Sequence, residues 1–268
     1  MSSPLNPIYL RNKDAWDARA RKGKRHAASV LPKDLRDPLP ILDPEGWLGG
    51  KVRGMKVLCL ASGGGLQSAM LAAAGAEVTV VDISSEMLNL DRKVALEHGL
   101  KVTCLEASME SLPAADASFD VVLQPVSTCY VPEISAVYRE VRRVIRPGGI
   151  YISQHKQPAS LQASISPGRN GYEILELYNR SGPLPPTAES LHREADTLEF
   201  LHTWTQIAGG LCRAGFVIED LVEPRPNGGI PSLAAFAERS RYLPPYVKLK
   251  ARAVKNDFRE KAGNLLIV

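Results

Sequence analysis

From residue 55 to residue 153, short apolar runs rich in β-branched residues alternate with longer stretches whose apolar positions recur every three or four residues. Residues 55–61 (MKVLCLA) read as a strand buried on both faces, because so short a continuous apolar run has no polar side to turn to water. Ser62-Gly63-Gly64-Gly65 turns the chain, and 66–74 is an alanine-rich helix stopped by Gly75. Glu77–Asp82 is a second strand ending in an acid; Ser84 caps a helix that runs to about His98, with Gly99 as its stop. Residues 101–106 and Phe119–Gln124 are the third and fourth strands. Residues 133–145 are helical, the turn Arg146-Pro147-Gly148-Gly149 closes that helix, and 150–153 form a fifth strand. Strands that alternate with helices in this way call for a parallel sheet, since each parallel neighbour needs a crossover.

The rhythm then breaks. Residues 156–196 hold Pro158, Pro167, Pro183, Pro185 and Pro186, with one helical run expected at 172–178. So long a stretch without a strand, inside a compact domain, reads as an inserted lid over a substrate. A helix at 203–214, Gly215 and the strand Phe216–Val222 follow, and Tyr246–Ala253 is the last strand. No long helix fits between these two strands, so they are expected to pair antiparallel across a connection containing Pro224, Pro226 and Pro231. Residues 1–50 precede the sheet as a cap segment with a helix at about 14–21. Residues 1–268 thus read as a single α/β domain with an N-terminal helical segment and a lid after the fifth strand.

Composition narrows the class. At 44% hydrophobic content, 268 residues can bury one sizeable core. No apolar stretch approaches the roughly 20 residues of a membrane span. Met1-Ser2-Ser3-Pro4 leads into charged residues without a signal-like apolar segment, so a soluble protein of the cytoplasm is expected. Cys59, Cys104, Cys129 and Cys212 are scattered with no CxxC pair, which supports neither a disulfide framework nor a metal site. The net charge of +4 divides into +5 over residues 11–25, +4 over 248–261 and −5 elsewhere. Basic ends could meet RNA or anionic lipid. No aromatic residues interleave with them, however, so solvated helix faces are the simpler reading.

In an open parallel sheet, ligands bind beyond the carboxyl ends of the strands. Gly63 and Gly65 let the backbone approach a ligand, and the helix that follows offers unpaired N–H groups to an anion. Asp82, 17 residues after Gly65, is placed to accept both ribose hydroxyls of an adenosine. A nicotinamide site uses the same elements, although its third glycine would fall at Ser68. The loop and the acid leave these two cofactors open.

A longer pattern goes further. Val57-Leu58-Cys59-Leu60-Ala61-Ser62-Gly63-Gly64-Gly65 resembles the first motif of class I S-adenosylmethionine-dependent methyltransferases, and Val81-Asp82-Ile83-Ser84-Ser85-Glu86-Met87-Leu88 their second. Ser108-Met109-Glu110-Ser111-Leu112-Pro113 and Ser118-Phe119-Asp120-Val121-Val122 resemble the third and fourth. Glu140 to Gly149 is similar to the family's helix-to-strand turn, and Ala214-Gly215-Phe216-Val217-Ile218 with Glu223-Pro224 to the last helix and strand of small-molecule members. Asn12-Lys13-Asp14-Ala15-Trp16-Asp17 also resembles the start of uncharacterised bacterial members.

The resemblance implies a seven-stranded Rossmann-like sheet with a C-terminal antiparallel hairpin, and S-adenosyl-L-methionine as cofactor. It further implies that Ala61, Ser62, Gly63 and Gly65 wrap the methionine part and that Asp82 holds the ribose. Ile83 and Met87 line the adenine, Ser108 and Met109 meet its edge, and Gln124 sits near the methionyl amino group. Two positions depart from the family: Ala61 stands where the first loop glycine is usual, and Ser108 where an acid is.

Candidate general bases are His155 at the end of the fifth strand, His202 before the last helix and Tyr130 after the fourth strand; Tyr130, Tyr9 and Trp16 also serve as apolar wall. After the fourth strand the chain reads Gln124-Pro125-Val126-Ser127, which lacks the paired acceptors of amino-directed nucleic-acid methylation. A small organic acceptor is therefore expected. The alternatives are RNA or protein methylation using the basic ends, and a cofactor-binding module without turnover.

Overall fold

The structure is a computed structural model and describes residues 6–23, 33–225 and 233–254. Five parallel strands, β1 (Lys56–Leu60), β2 (Glu77–Asp82), β3 (Val102–Glu106), β4 (Phe119–Gln124) and β5 (Ile145–Lys156), share one sheet with β6 (Phe216–Val222) and β7 (Tyr246–Ala253). The order is β3-β2-β1-β4-β5-β7-β6, with β7 antiparallel to both β5 and β6. The expected C-terminal hairpin is present. Of the prolines in its connection, Pro226 and Pro231 lie outside the described residues, as do residues 24, 25 and 255–261 of the basic ends.

Strand alternation builds a core on each face of the sheet. Leu58 and Leu60 of β1 pack toward α5 (Ile134–Val144) and α7 (Trp204–Arg213), whereas Val57 and Cys59 pack toward Leu71 of α3 (Leu66–Ala73) and Trp47. The buried positions of α5 are Ile134, Val137, Tyr138, Val141 and Val144, the spacing of one helical stripe. Full burial of each such side chain stabilises by about 1.5–3 kcal/mol. Ser84 caps α4 (Ser85–Glu97) by accepting from Met87 N, and Thr203 caps α7 in a reciprocal box with Gln206. All four cysteines are free.

Two expectations about the connections change. The N-terminal helix α1 (Pro7–Arg21) begins earlier than the expected 14–21, because Asn6 caps it and Pro7 opens it. No helix forms at 172–178. Leu175 N and Glu176 N both donate to Gln162 O, and Ala163 pairs with Ile174, so this backbone bonds across the segment rather than along it. The helix that does form is the short α6 (Pro158–Gln162). Beyond them, α2 (Leu39–Leu42) lies before β1 and α8 (Ala234–Ser240) before β7.

Candidate active site

The strand order reverses between β1 and β4, and a cleft of about 350 Å³ opens there at the strand carboxyl ends. Its floor is the turn after β1. Gly63 N donates to Asp82 Oδ2 (2.9 Å) and Gly64 N to Asp91 Oδ2 (2.9 Å), so two carboxylates from the next strand and helix hold the turn down. Asp82 Oδ1 also accepts from Ser84 N (2.9 Å), which ties the turn to the start of α4. Burial raises the Asp82 carboxyl above its ordinary value, against the pull of backbone N–H groups of Ser84, Gly63 and Ile83. Asp91, wholly buried, is pushed up to about 6 by the same desolvation despite the Ser68 hydroxyl and Gly64 N–H that it accepts.

Glycine is needed in this turn for packing. A Cβ at Gly63 would lie 2.7 Å from Met87 Cβ and 3.0 Å from Asp82 Oδ2; one at Gly65, which has φ +85°, would lie 2.8 Å from Val94 Cγ2. Ala61 takes the left-handed conformation at φ +48°, which a glycine would adopt at no steric cost. Ser68, where a dinucleotide pattern wants glycine, is instead the hydroxyl that Asp91 needs.

The roof comes from four distant segments. Trp16 of α1 meets the ring of Tyr130 edge-on at 5.5 Å, and Tyr130 Oη donates to Glu194 Oε2 (2.8 Å). Lys156 Nζ, at the end of β5, donates to Glu194 Oε2 (2.7 Å) and Glu199 Oε1 (2.6 Å), and Arg193 Nε donates to Glu199 Oε2 (2.6 Å). Burial alone would raise the Glu194 carboxyl, but the Lys156 ammonium and the Tyr130 hydroxyl hold it below the usual range.

Four residues of Asn12-Lys13-Asp14-Ala15-Trp16-Asp17 fasten α1 here. Asn12 Nδ2 donates to the carbonyls of Tyr130 (2.9 Å) and Leu198 (3.2 Å), and its Oδ1 accepts from Leu198 N (2.7 Å). Lys13 Nζ reaches Ile83 O (3.1 Å) and Glu106 (2.8 Å), Asp17 Oδ1 accepts from Ser84 Oγ (2.5 Å), and Trp16 lines the cleft.

Of the residues singled out from sequence, Ala61, Ser62, Gly63 and Asp82 line the cleft, as do Ile83, Met87, Met109 and Tyr130. Gly65 sits behind the turn as the residue before α3. Ser108 faces its own chain, its Oγ accepting from Glu110 N (3.1 Å). Gln124 is buried beneath the cleft, donating to Ser127 Oγ (2.8 Å) and Met109 Sδ (3.3 Å) and accepting from Tyr151 Oη.

The histidines are corrections. Successive side chains of β5 alternate, so Gln154 lines the cleft while His155 turns to the other face with Ser153. Both His155 ring nitrogens are engaged, Nε2 with Ser153 Oγ and Nδ1 with Thr128 Oγ1 (2.8 Å each), and burial pushes its pKa down to about 3. His202 is also buried, its Nε2 sharing a hydrogen bond with Thr128 O (3.0 Å). Neither histidine lines the cleft; both grip the Thr128–Tyr130 turn that carries Tyr130 into it. Tyr130 is at the cleft, but burial and the adjacent Glu194 raise its phenol well above the ordinary value, so it supplies no base near neutrality.

Sequence reasoning missed Asp91 and Glu194. Asp91 had a legible signal: it is the one acid on the buried stripe Met87, Leu88, Asp91, Val94, Ala95 of α4. Glu194 lies in irregular chain, where no periodicity marks it.

Among known proteins, a model of the methyltransferase domain matches residues 58–153, which reach from within β1 into β5 and include both carboxylate clamps. An uncharacterized methyltransferase of Bacillus subtilis, YbaJ, is 32% identical over 238 residues, covering 82% of this chain and 92% of that protein. The chain belongs to the class I S-adenosylmethionine-dependent methyltransferases. Two solved structures share the methyltransferase's fold. An S-adenosylmethionine-dependent methyltransferase from Mesorhizobium loti has a TM-score of 0.60 at 23% identity, over 77% of this chain and 97% of that one. Geranyl diphosphate C-methyltransferase from Streptomyces coelicolor, solved with S-adenosyl-L-homocysteine, has 0.62 at 15% identity, over 94% and 100%. The methyltransferase's cofactor is S-adenosylmethionine, and the cleft suits it. Gln67 Oε1 on its wall is buried with no hydrogen-bond partner among the described residues, a polar atom that a polar ligand in the cleft could satisfy.

Proposed function

We propose that this methyltransferase acts on a small organic molecule held between the floor and the roof of the cleft. The observation that carries the reading is the roof itself: Trp16, Tyr130, Glu194 and Tyr246, from four separate parts of the chain, line the same cleft as the glycine turn. A polymer needs an open groove. Among the described residues, moreover, the charged side chains lining the cleft are Asp82 and Glu194, both carboxylates, which repel a phosphate backbone. In this reading residues 1–50 act as a cap and 156–196 as a lid on one domain. An acceptor from the soluble metabolite pool suits a chain in which no described helix is long and apolar enough to cross a membrane, and the reading assigns the reaction to the cytoplasm.

When bound, the cofactor supplies an electrophilic methyl carbon on a sulfonium. Asp82 would accept the ribose hydroxyls, Ile83, Met87 and Met109 would line the adenine, and Ser62 and Gln67 with the backbone of 61–64 would take the methionyl polar groups. Gln154 and Ser127 stand in for Gln124 at the amino end. The roof would hold the acceptor in line with the methyl carbon, a positioning that can supply a large part of the acceleration of such a displacement. No histidine, lysine or cysteine lines the cleft among the described residues, so the acceptor arrives with its own lone pair available.

The test is incubation of the purified protein with methyl-labelled cofactor and a metabolite extract, with RNA and protein fractions alongside. Label in a small-molecule product supports the reading, and label confined to RNA or protein overturns it.

A further inference from the structure

The wall at the acceptor end of the cleft is an electrical double layer. Four buried or nearly buried charges form one chain of contacts: Arg193 to Glu199, Glu199 to Lys156, and Lys156 to Glu194. At formal charges two cations and two carboxylates balance, with burial and the neighbouring Glu194 carboxyl raising the Glu199 carboxyl above its ordinary value. The arrangement is not symmetrical. Glu194 alone of the four lines the cleft, whereas Lys156 and Arg193 line a separate cavity of about 130 Å³ on the far side, beside Arg239. Tyr246 lines both and belongs to the partition. Of the four charges the wall therefore presents only a carboxylate to the cleft, while the Lys156 ammonium stands 5.9 Å from the centroid of the Tyr130 ring, outside the lining.

The rest of the acceptor end points the same way. No lysine or arginine lines the cleft among the described residues, and Glu194 stands among the aromatic rings of Trp16, Tyr130 and Tyr246. A carboxylate set among aromatic faces is the surround a cationic nitrogen prefers, because ring quadrupoles and anion attract it together. A carboxylate-bearing molecule would meet Glu194 and find no cation among the described residues that line the cleft, the Lys156 ammonium being already paired with Glu194. From this polarised wall we infer that the acceptor carries a cationic amine, which Glu194 anchors against the aromatic roof. Glu194 is an anchoring and specificity-determining residue, not a base: the Lys156 ammonium keeps it ionised, so the methylated atom is a different one from the nitrogen it holds. The inference rests on the small-acceptor reading above.

The test uses three molecules of one shape, cyclohexylmethylamine, cyclohexylmethanol and cyclohexanecarboxylate, titrated calorimetrically into protein saturated with S-adenosylhomocysteine. The amine is expected to bind more tightly than the alcohol by about tenfold or more, with no measurable binding of the carboxylate. That preference should vanish in Glu194→Gln and survive in Tyr130→Phe, both with unchanged affinity for S-adenosylhomocysteine. Equal or tighter binding of the alcohol or the carboxylate to the unaltered protein overturns the inference without recourse to any variant, as does a preference that persists in Glu194→Gln. Failure of the protein to bind S-adenosylhomocysteine at all contradicts the cofactor site instead.

Discussion

The floor and the roof of the cleft are built by opposite means. The floor is local: strand, glycine turn, helix, strand and acid follow one another within residues 56–91, and Asp82 and Asp91 hold the turn through backbone N–H groups. The roof is assembled from afar. Asn12 bonds residues 130 and 198, Arg19 forms a double hydrogen bond with Glu189 (2.6 and 2.7 Å), and Lys156 joins residues 194 and 199. A floor made of backbone suits a cofactor that never changes, and a roof made of side chains can be altered for a new acceptor without disturbing the turn below.

The largest expected effect concerns the roof's anchor. His155 is neutral when folded, and its pKa is depressed by burial to about 3, below the unfolded value of about 6.5. Its contribution is therefore complete above the unfolded value and is lost as pH falls toward 3. That loss is on the order of 4 kcal/mol. Urea unfolding between pH 4 and 7 should show a stability limb that shrinks in His155→Gln, while the pH dependence of methyl transfer lacks a His155 limb. A turnover limb that disappears in the variant would restore His155 to the chemistry.

Next comes the floor. Asp82→Ala would remove two charge-assisted hydrogen bonds to ribose, each worth about 1.5–3 kcal/mol, and would untie the turn at Gly63 N and Ser84 N, so it should weaken S-adenosylhomocysteine by about a hundredfold or more with the sheet still folded. Calorimetry together with circular dichroism checks both halves of that statement.

A smaller change is expected from unfastening the roof. Asn12→Ala leaves two carbonyls and one N–H of the roof without their partner, a cost of about 1–3 kcal/mol. Hydrogen exchange over residues 7–21 should accelerate while cofactor affinity moves by less than about threefold. Unchanged exchange would mean that α1 is held by other contacts.

The smallest effect is Ala61→Gly, which relieves a left-handed alanine at about 1–2 kcal/mol but returns about 0.4–1 kcal/mol of freedom to the unfolded chain. The net is a rise in Tm of roughly 2 °C. A fall in Tm would show that the Ala61 methyl is used in packing.

The same contrast explains what the sequence made legible. Strand Phe119–Gln124 and the pair Phe216–Val222 and Tyr246–Ala253 were readable to the residue because alternation and glycine stops are local signals. So were the turn at 61–65 and Asp82. The partnership of Asn12 with residues 130 and 198, or of Lys156 with Glu194, is a property of the folded chain and leaves no spacing to read. His155 was misjudged by the side of one strand: being near a strand end is visible in sequence, but which face residue 155 takes depends on its register against Val247 of β7. Residues 172–178 failed for a related reason, since their helical pattern lost to hydrogen bonds with Gln162.

The central claim is that floor and roof divide the work, cofactor below and acceptor above. The most direct test is one calorimetric series of S-adenosylhomocysteine into the unaltered protein, Asp82→Ala and Glu194→Gln under identical conditions. The account predicts a loss of about a hundredfold or more in Asp82→Ala and a change below about threefold in Glu194→Gln. Comparable losses in the two variants, or native affinity in Asp82→Ala, would contradict it.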